Sequence, residues 1–256
     1  MKSVELSVVT AMDGVDQELF PYLPFIFQDV WEIGSDSETI IKIIGRHFKR
    51  HEHLEILDAG CGKGAVCVKA ARSFKCKCHG IDAVPEFISF AREKAAEFKV
   101  ERLCEFEVGD IREKIKESNT YDVIVLGAIG PVFGDYFETL SILSKHLNDS
   151  GMIIIDDGYI DDDSDYAHPF ILKKQVLLRQ INTSGMRLVE NNVIKRESVG
   201  DSNDAILKNL RRRCVELIER HPGKKDLFEG YIRRQEAESD VLENKVVCSI
   251  LVLKEC

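Results

Sequence analysis

The chain predicts an α/β fold, a doubly wound and mainly parallel sheet, and three observations carry that reading. Short β-rich runs alternate with helical runs from His53 to Ile181. A glycine-rich turn follows the first β-rich run. A β-rich run also closes the chain, after a long helical stretch.

Taken in order, residues 15–50 read as helical. Phe20, Leu23, Phe27 and Trp31 recur at helical spacing, with Pro21 and Pro24 restarting the first turn. Ile40, Ile41, Ile43, Ile44 and Phe48 outline a second amphipathic helix, acidic at its start and basic at its end. Strands are then expected over 54–57, 77–81, 104–108, 121–126 and 152–155. Helices are expected over 64–74, 85–98, 135–147 and 168–181, with a helical turn after Asp110. The alternation implies right-handed crossovers with helices on both faces of the sheet. Residues 187–194 read as a sixth strand, about 199–243 as two helices, and 246–253 as a final strand. One reading makes the last two strands a hairpin with a helical insertion between them.

The length, 256 residues, suits one domain with a modest cap. A formal net charge of -9 opposes phosphate backbones and anionic lipid heads, so neither nucleic acid nor membrane is expected as a partner. The run Arg211-Arg212-Arg213 sits in a helical stretch and reads as a solvated helix face. Residues 1–14 lack a continuous apolar stretch, so no secretory signal is expected. The eight cysteines lack zinc-ligand spacing and read as free thiols in the cytoplasm.

Between the first strand and its helix lies Asp58-Ala59-Gly60-Cys61-Gly62-Lys63-Gly64. Glycines there let the backbone turn tightly and approach a ligand, and the helix behind them presents a positive dipole end. Either a pyrophosphate or an amino-acid carboxylate suits such a turn. Three features favour S-adenosylmethionine (SAM). Asp58 would repel pyrophosphate but tolerates an ammonium or sulfonium. Asp82 ends the second strand, where it can accept both ribose hydroxyls. Asp110-Ile111 follows the third strand and pairs an acceptor with an apolar surface for adenine.

With these stretches the chain resembles the class I SAM-dependent methyltransferases, particularly the small-molecule kind (methyltransferase types 11 and 25) acting on quinones, sterols and similar compounds. Gly80-Ile81-Asp82, Gly109-Asp110-Ile111, the strand ending in Gly127 and the strand ending in Asp156 stand in the family's order. The resemblance implies a Rossmann-like sheet of seven strands with the last antiparallel. It also implies a methionine cradle on Gly60, Cys61 and Gly62, and ribose recognition by Asp82 with Ala83 beside it. Asp110 and Ile111 fall in the adenine pocket, and Gly127 and Ala128 beneath the sulfonium. Trp31 is expected to close over the methionine end.

The implied activity is transfer of a methyl group from SAM to a small-molecule acceptor, an amine or a hydroxyl among the candidates. Acceptor chemistry belongs at the carboxyl ends of the strands, where Asp157, Tyr159 and His168 are the candidate bases or acceptor contacts. Acidic residues after the fifth strand suit a cationic acceptor. Metal-dependent catechol-type enzymes also carry acids there, but they expect another after the fourth strand, where this chain has Gly127-Ala128-Ile129; no metal is expected. Residues 1–50 are expected as a helical cap and 51–256 as the core, with 198–243 joining the cap as an acceptor lid. The working protein is expected as a monomer or homodimer. A SAM-binding protein without transferase activity, a protein-directed methyltransferase and a nicotinamide-dependent oxidoreductase are the rival readings.

Overall fold

A computed structural model describes residues 3–117 and 119–256. Seven strands form one sheet: β1 (Glu55–Ala59), β2 (Lys77–Asp82), β3 (Cys104–Val108), β4 (Tyr121–Gly127), β5 (Leu147–Tyr159), β6 (Met186–Val193) and β7 (Val247–Glu255), in the order β3-β2-β1-β4-β5-β7-β6. The first five are parallel, and β7 runs antiparallel to both β5 and β6. The inversion of β7 explains the ending of the chain. A strand antiparallel to β6 must start at the edge where β6 stops, so the helices between them lie over the carboxyl ends of the parallel strands. These are α9 (Arg196–Arg220) and α10 (Lys225–Asn244).

Period-two alternation splits the strand residues between two apolar layers. Ile56, Val123, Val125, Met152, Ile154, Ile250 and Val252 pack with α3 (Ser37–His47), α4 (Ala65–Phe74) and α5 (Pro85–Glu97). Leu57, Ile81, Ile124, Ile153, Ile155 and Leu251 pack with α6 (Ile111–Glu117), α7 (Tyr136–Leu143) and α8 (Lys174–Thr183) on the other face. A third cluster joins the amino terminus to the insertion. Val9, Leu19, Leu23, Ile26 and Phe27 are buried with Leu210, Cys214, Leu217, Phe228 and Tyr231.

Several expectations shift. The strand expected over 152–155 extends to Tyr159, because the polar pair Asp156-Asp157 is held in register with Ile250 and Ser249 of β7. The helix expected from His168 begins only at Lys174; the His168 Nδ1 accepts the amides of Phe170 and Ile171 and holds a turn instead. The helical reading of residues 15–36 reduces to a 3₁₀ turn, Gln17–Tyr22, and the single turn α2 (Leu23–Ile26). α1 (Val4–Ala11), capped by the Ser3 hydroxyl on the Leu6 amide, adds a helix ahead of the stretch whose spacing reads as helical, and it has no amphipathic stripe. Within residues 1–50, α3 packs in the sheet layer, whereas residues 9–27 pack with the α9–α10 insertion. Arg212 and Arg213 are not merely solvated: both bind Asp29 of the cap, and Arg211 binds Glu236.

Candidate functional site

A cavity of about 850 Å³ opens at the carboxyl ends of β1, β2, β4 and β5, beneath the cap and the α9–α10 insertion. This is the switch point of the sheet, where chain connections leave in opposite directions and a crevice forms. Gly60, Gly62, Asp82, Ala83, Asp110, Ile111, Gly127, Ala128, Asp157 and His168 all line it. Asp58, Cys61, Trp31 and Tyr159 do not.

The glycine loop differs in one respect from a set of free amides. Gly60 and Cys61 both donate to the Ile81 carbonyl (2.9 and 3.0 Å), and Gly62 donates to the Asp82 Oδ2 at 2.8 Å. What the loop presents is bare backbone: Gly60 and Gly62 take φ of +82° and +51°, and nothing lies within 4 Å of where a Gly62 side chain would start. The Cys61 side chain is only 9 % exposed and lies under the loop, its Sγ against Gly80. Asp58 points away from the cavity into the α4 layer, 3.8 Å from the Cys67 Sγ. Burial, and next the neighbouring Asp82 charge, push its carboxyl up to about 7.

Asp82 holds the Gly62 and Val84 amides, one on each oxygen. Burial raises its pKa to about 6 against the pull of those amides. Asp110 is gripped by Arg112 through the guanidinium (2.7 to 3.0 Å) and the amide (3.0 Å). Burial opposes the Asp110 charge, but Arg112 outweighs it and holds the carboxyl below its usual range. Arg112 Nη1 also reaches the Ser7 hydroxyl at 3.2 Å, which brings α1 over this end of the cavity.

Beyond β4 the backbone is tightly fitted. A Gly127 Cβ would lie 2.0 Å from the Ser35 Oγ, and Ala128 sits at φ +53°, a left-handed conformation uncommon for a side-chain-bearing residue. Asp156 accepts the Asp36 amide at 2.9 Å, and burial pushes its carboxyl up to about 7. Asp157 is raised by burial too, while accepting the Tyr136 hydroxyl and the Gly158 amide, each at 2.7 Å. The Ser35 hydroxyl is buried without a hydrogen-bond partner.

Of the expected site residues that do not line the cavity, Trp31 and Tyr159 are kept from it by local structure. Once α2 ends at Ile26, the chain turns and carries Trp31 outward. Its indole donates to the Lys63 carbonyl at 3.1 Å and packs on Phe98, while Phe27 remains at the cavity wall. Tyr159 is 4 % exposed, with its hydroxyl receiving the Asn191 amide at 3.2 Å. In its place the structure supplies Tyr136, Ser35, Asp36 and Arg112. A signal for Tyr136 existed: Asp135-x-x-Glu138 is a capping box, which puts Tyr136 in the first turn of α7.

These residues fit an adenosyl amino acid. A half-buried carboxylate stands at the end of β2 for paired hydroxyls, and Ala83 and Ile111 supply apolar walls for a flat ring. Bare glycine backbone lines the cavity at Gly60 and Gly62, and the unpartnered Ser35 hydroxyl is packed against Gly127 at its wall. Among the described residues, no group of three or more His, Cys, Asp or Glu side chains is arranged to hold a metal ion.

Known proteins agree with the geometry. The ubiquinone biosynthesis O-methyltransferase of Rickettsia akari is 33% identical over 120 residues, 46% of each protein. Ajmaline N-methyltransferase of Rauvolfia serpentina is 31% identical over 70 residues, 27% of this chain and 24% of that one. The chain thus spans between a quarter and half of the length of these curated relatives. Among solved structures, a SAM-dependent methyltransferase from Geobacter sulfurreducens in complex with S-adenosylhomocysteine (SAH) superimposes with a TM-score of 0.76 at 16% identity, over 92% of this chain and 98% of that one. At that identity the likeness is one of fold. The methyltransferase domain family matches residues 50–212, from the approach to β1 into α9, and with the glycine loop, Asp82 and Asp110 standing in one cavity the chain belongs to that family.

Proposed function

We propose that this protein binds SAM in the cavity and transfers its methyl group to a small-molecule acceptor, for which an amine is the best-supported class. The observation that carries the cofactor half is the convergence of the Gly60–Gly62 turn, Asp82 and Asp110-Ile111 on one cavity. The relatives named for SAM and for N- or O-methylation support the same reading. SAM supplies a methyl group already activated on a sulfonium, so the protein's task is alignment and exclusion of water.

In this reading Asp82 accepts the ribose hydroxyls, and Asp110 with Ile111 and Ala83 holds the adenine. The Gly127–Ala128 turn and Ser35 flank the reacting methyl. The cap and the α9–α10 insertion act together as a lid over the acceptor. An amine is favoured because Asp36, Asp156 and Asp157 meet the cavity beyond Gly127, while the basic Arg112 is already engaged with Asp110. An ammonium must lose a proton before it attacks, and Asp157 is placed to take it. His168, which also lines the cavity, is the second candidate. No helix among the described residues is long and apolar enough to cross a membrane. Eight free cysteines suit a reducing cytoplasm, and a monomer or homodimer suffices for a site built within one chain.

The test is calorimetric titration with SAM, SAH and NAD. Saturable binding of both adenosyl compounds, weakened about 10- to 100-fold by Asp82→Asn, is the expected result. Binding of NAD alone overturns the reading in favour of an oxidoreductase. Binding of SAM without turnover on any of a panel of amines and phenols favours a non-catalytic SAM-binding protein.

A further inference from the structure

We propose that Lys63 is a positioning residue: it fastens the segment Phe27–Asp36 of the cap to the glycine-rich loop, so that a ligand seated on the loop orders the adjoining wall of the cavity. The coupling to a ligand rests on the cofactor reading; the fastening itself does not.

A lysine between two glycines at the start of a helix invites assignment as an anion contact. The structure places it elsewhere. Lys63 is absent from the cavity wall and only 3 % exposed. Its ammonium donates to the Phe27 carbonyl at 2.5 Å and to the Val30 carbonyl at 2.7 Å, and lies 4.6 Å from the centre of the Phe90 ring. Burial lowers its pKa to about 8, with the Asp29 charge opposing. That carboxylate is itself held by Arg212 and Arg213 of α9. The tie is reciprocal, because the Trp31 indole donates back to the Lys63 carbonyl at 3.1 Å. Three bonds thus cross between residues 27–31 and one residue of the loop.

Both ends of this tie reach the cavity. On the loop side, Gly62 precedes Lys63 and its amide rests on Asp82, the group assigned to the ribose. On the cap side, Phe27 and residues 32–36 form part of the wall. There a Gly34 Cβ would come within 2.9 Å of the Ala128 Cβ, and Asp36 donates to Asp156. A change at Gly62 therefore reaches the Ser35–Asp36 segment through Lys63. A buried ammonium with two carbonyl acceptors and an aromatic face is costly to leave unpaired, which gives the tie its stiffness.

Hydrogen exchange of the full chain, with and without SAH, tests this on the wild type and on Lys63→Met, which keeps the apolar stem and removes the donors. In the ligand-free variant, amides of residues 28–36 should exchange roughly tenfold or more faster, with β4 and β5 unchanged. SAH should slow exchange of residues 28–36 in the wild type and fail to do so in Lys63→Met, although calorimetry shows it bound. Wild-type exchange rates in the variant overturn the proposal. If Lys63→Met unfolds, Trp31→Phe takes its place: it removes one indole donor and should speed the same amides several-fold, and unchanged rates there count equally against the proposal. A wild type that binds no SAH defeats the cofactor reading, while the ligand-free comparison still decides the role of Lys63.

Discussion

Gly127 and the buried carboxylates show how much single residues decide here. A side chain at Gly127 would overlap the Ser35 hydroxyl and crowd its Cβ, so Gly127→Ala must turn or shift the Ser35 side chain. SAH affinity should fall about tenfold in a variant that remains folded by circular dichroism; unaltered affinity would mean that this side chain moves freely. Asp58 and Asp156, raised to about 7, and Asp82, raised to about 6, titrate close to neutrality. A cationic ligand favours their ionised forms, so SAM binding at about pH 6.5 should release protons. Calorimetry in buffers of different ionisation enthalpy reads this directly, and identical enthalpies in all buffers refute it. For turnover, Asp157→Asn should lower kcat about 100-fold on an amine acceptor. Tyr159→Phe, outside the cavity, should leave kcat unchanged; the reverse pattern would return the role to Tyr159.

At the scale of elements, the amino-terminal cap and the α9–α10 insertion share a small core, which Val84 and Phe87 complete from the sheet domain. Phe228 is fully buried between the cap and the insertion, and the Tyr231 hydroxyl and Gln235 amide of α10 both donate to the Met12 carbonyl after α1. Phe228→Ala should cost about 3–5 kcal/mol, felt first in this cluster. Limited proteolysis should then cut α9 and α10 at denaturant concentrations that leave the sheet intact. Simultaneous loss of the insertion and the sheet would show that the two form one cooperative unit. The cap and insertion also mark where sequence patterns stop being informative. α1 spreads its apolar residues around the helix and buries only Val9, so it shows no stripe. The Arg212 and Arg213 pairing with Asp29 spans more than 180 residues of chain, which no local pattern encodes.

For the whole molecule, the raised carboxylates set a pH dependence of stability. Asp58, Asp82, Asp156 and Asp13, the last also at about 6, have folded-state pKa values above the unfolded value near 4. The folded chain therefore binds more protons than the unfolded one between about pH 4 and 7, and stability falls as pH rises through that window. Denaturant unfolding of the ligand-free protein should give higher stability at about pH 5 than at about pH 8, with a shallower slope for Asp58→Asn. A flat profile would mean that these groups ionise in the folded chain as they do in water.

The sequence by itself determined the alternating strands and helices, the glycine turn, and the acids Asp82 and Asp110 at successive strand ends. Each of these is written in local spacing: period two, period 3.6, or a residue that tolerates positive φ. The antiparallel last strand was legible through the family resemblance and explains why the insertion covers the site. Tertiary structure alone decided which side chains meet the cavity. Asp58 and Asp157 both lie near the carboxyl ends of their strands, on either side of β4, yet one faces α4 and the other the cavity. Trp31 leaves the site because α2 stops after one turn, and Tyr136 enters it because α7 begins beside Asp157. Direction at a strand end and contact across distant chain depend on how the layers pack, and packing is a property of the folded whole.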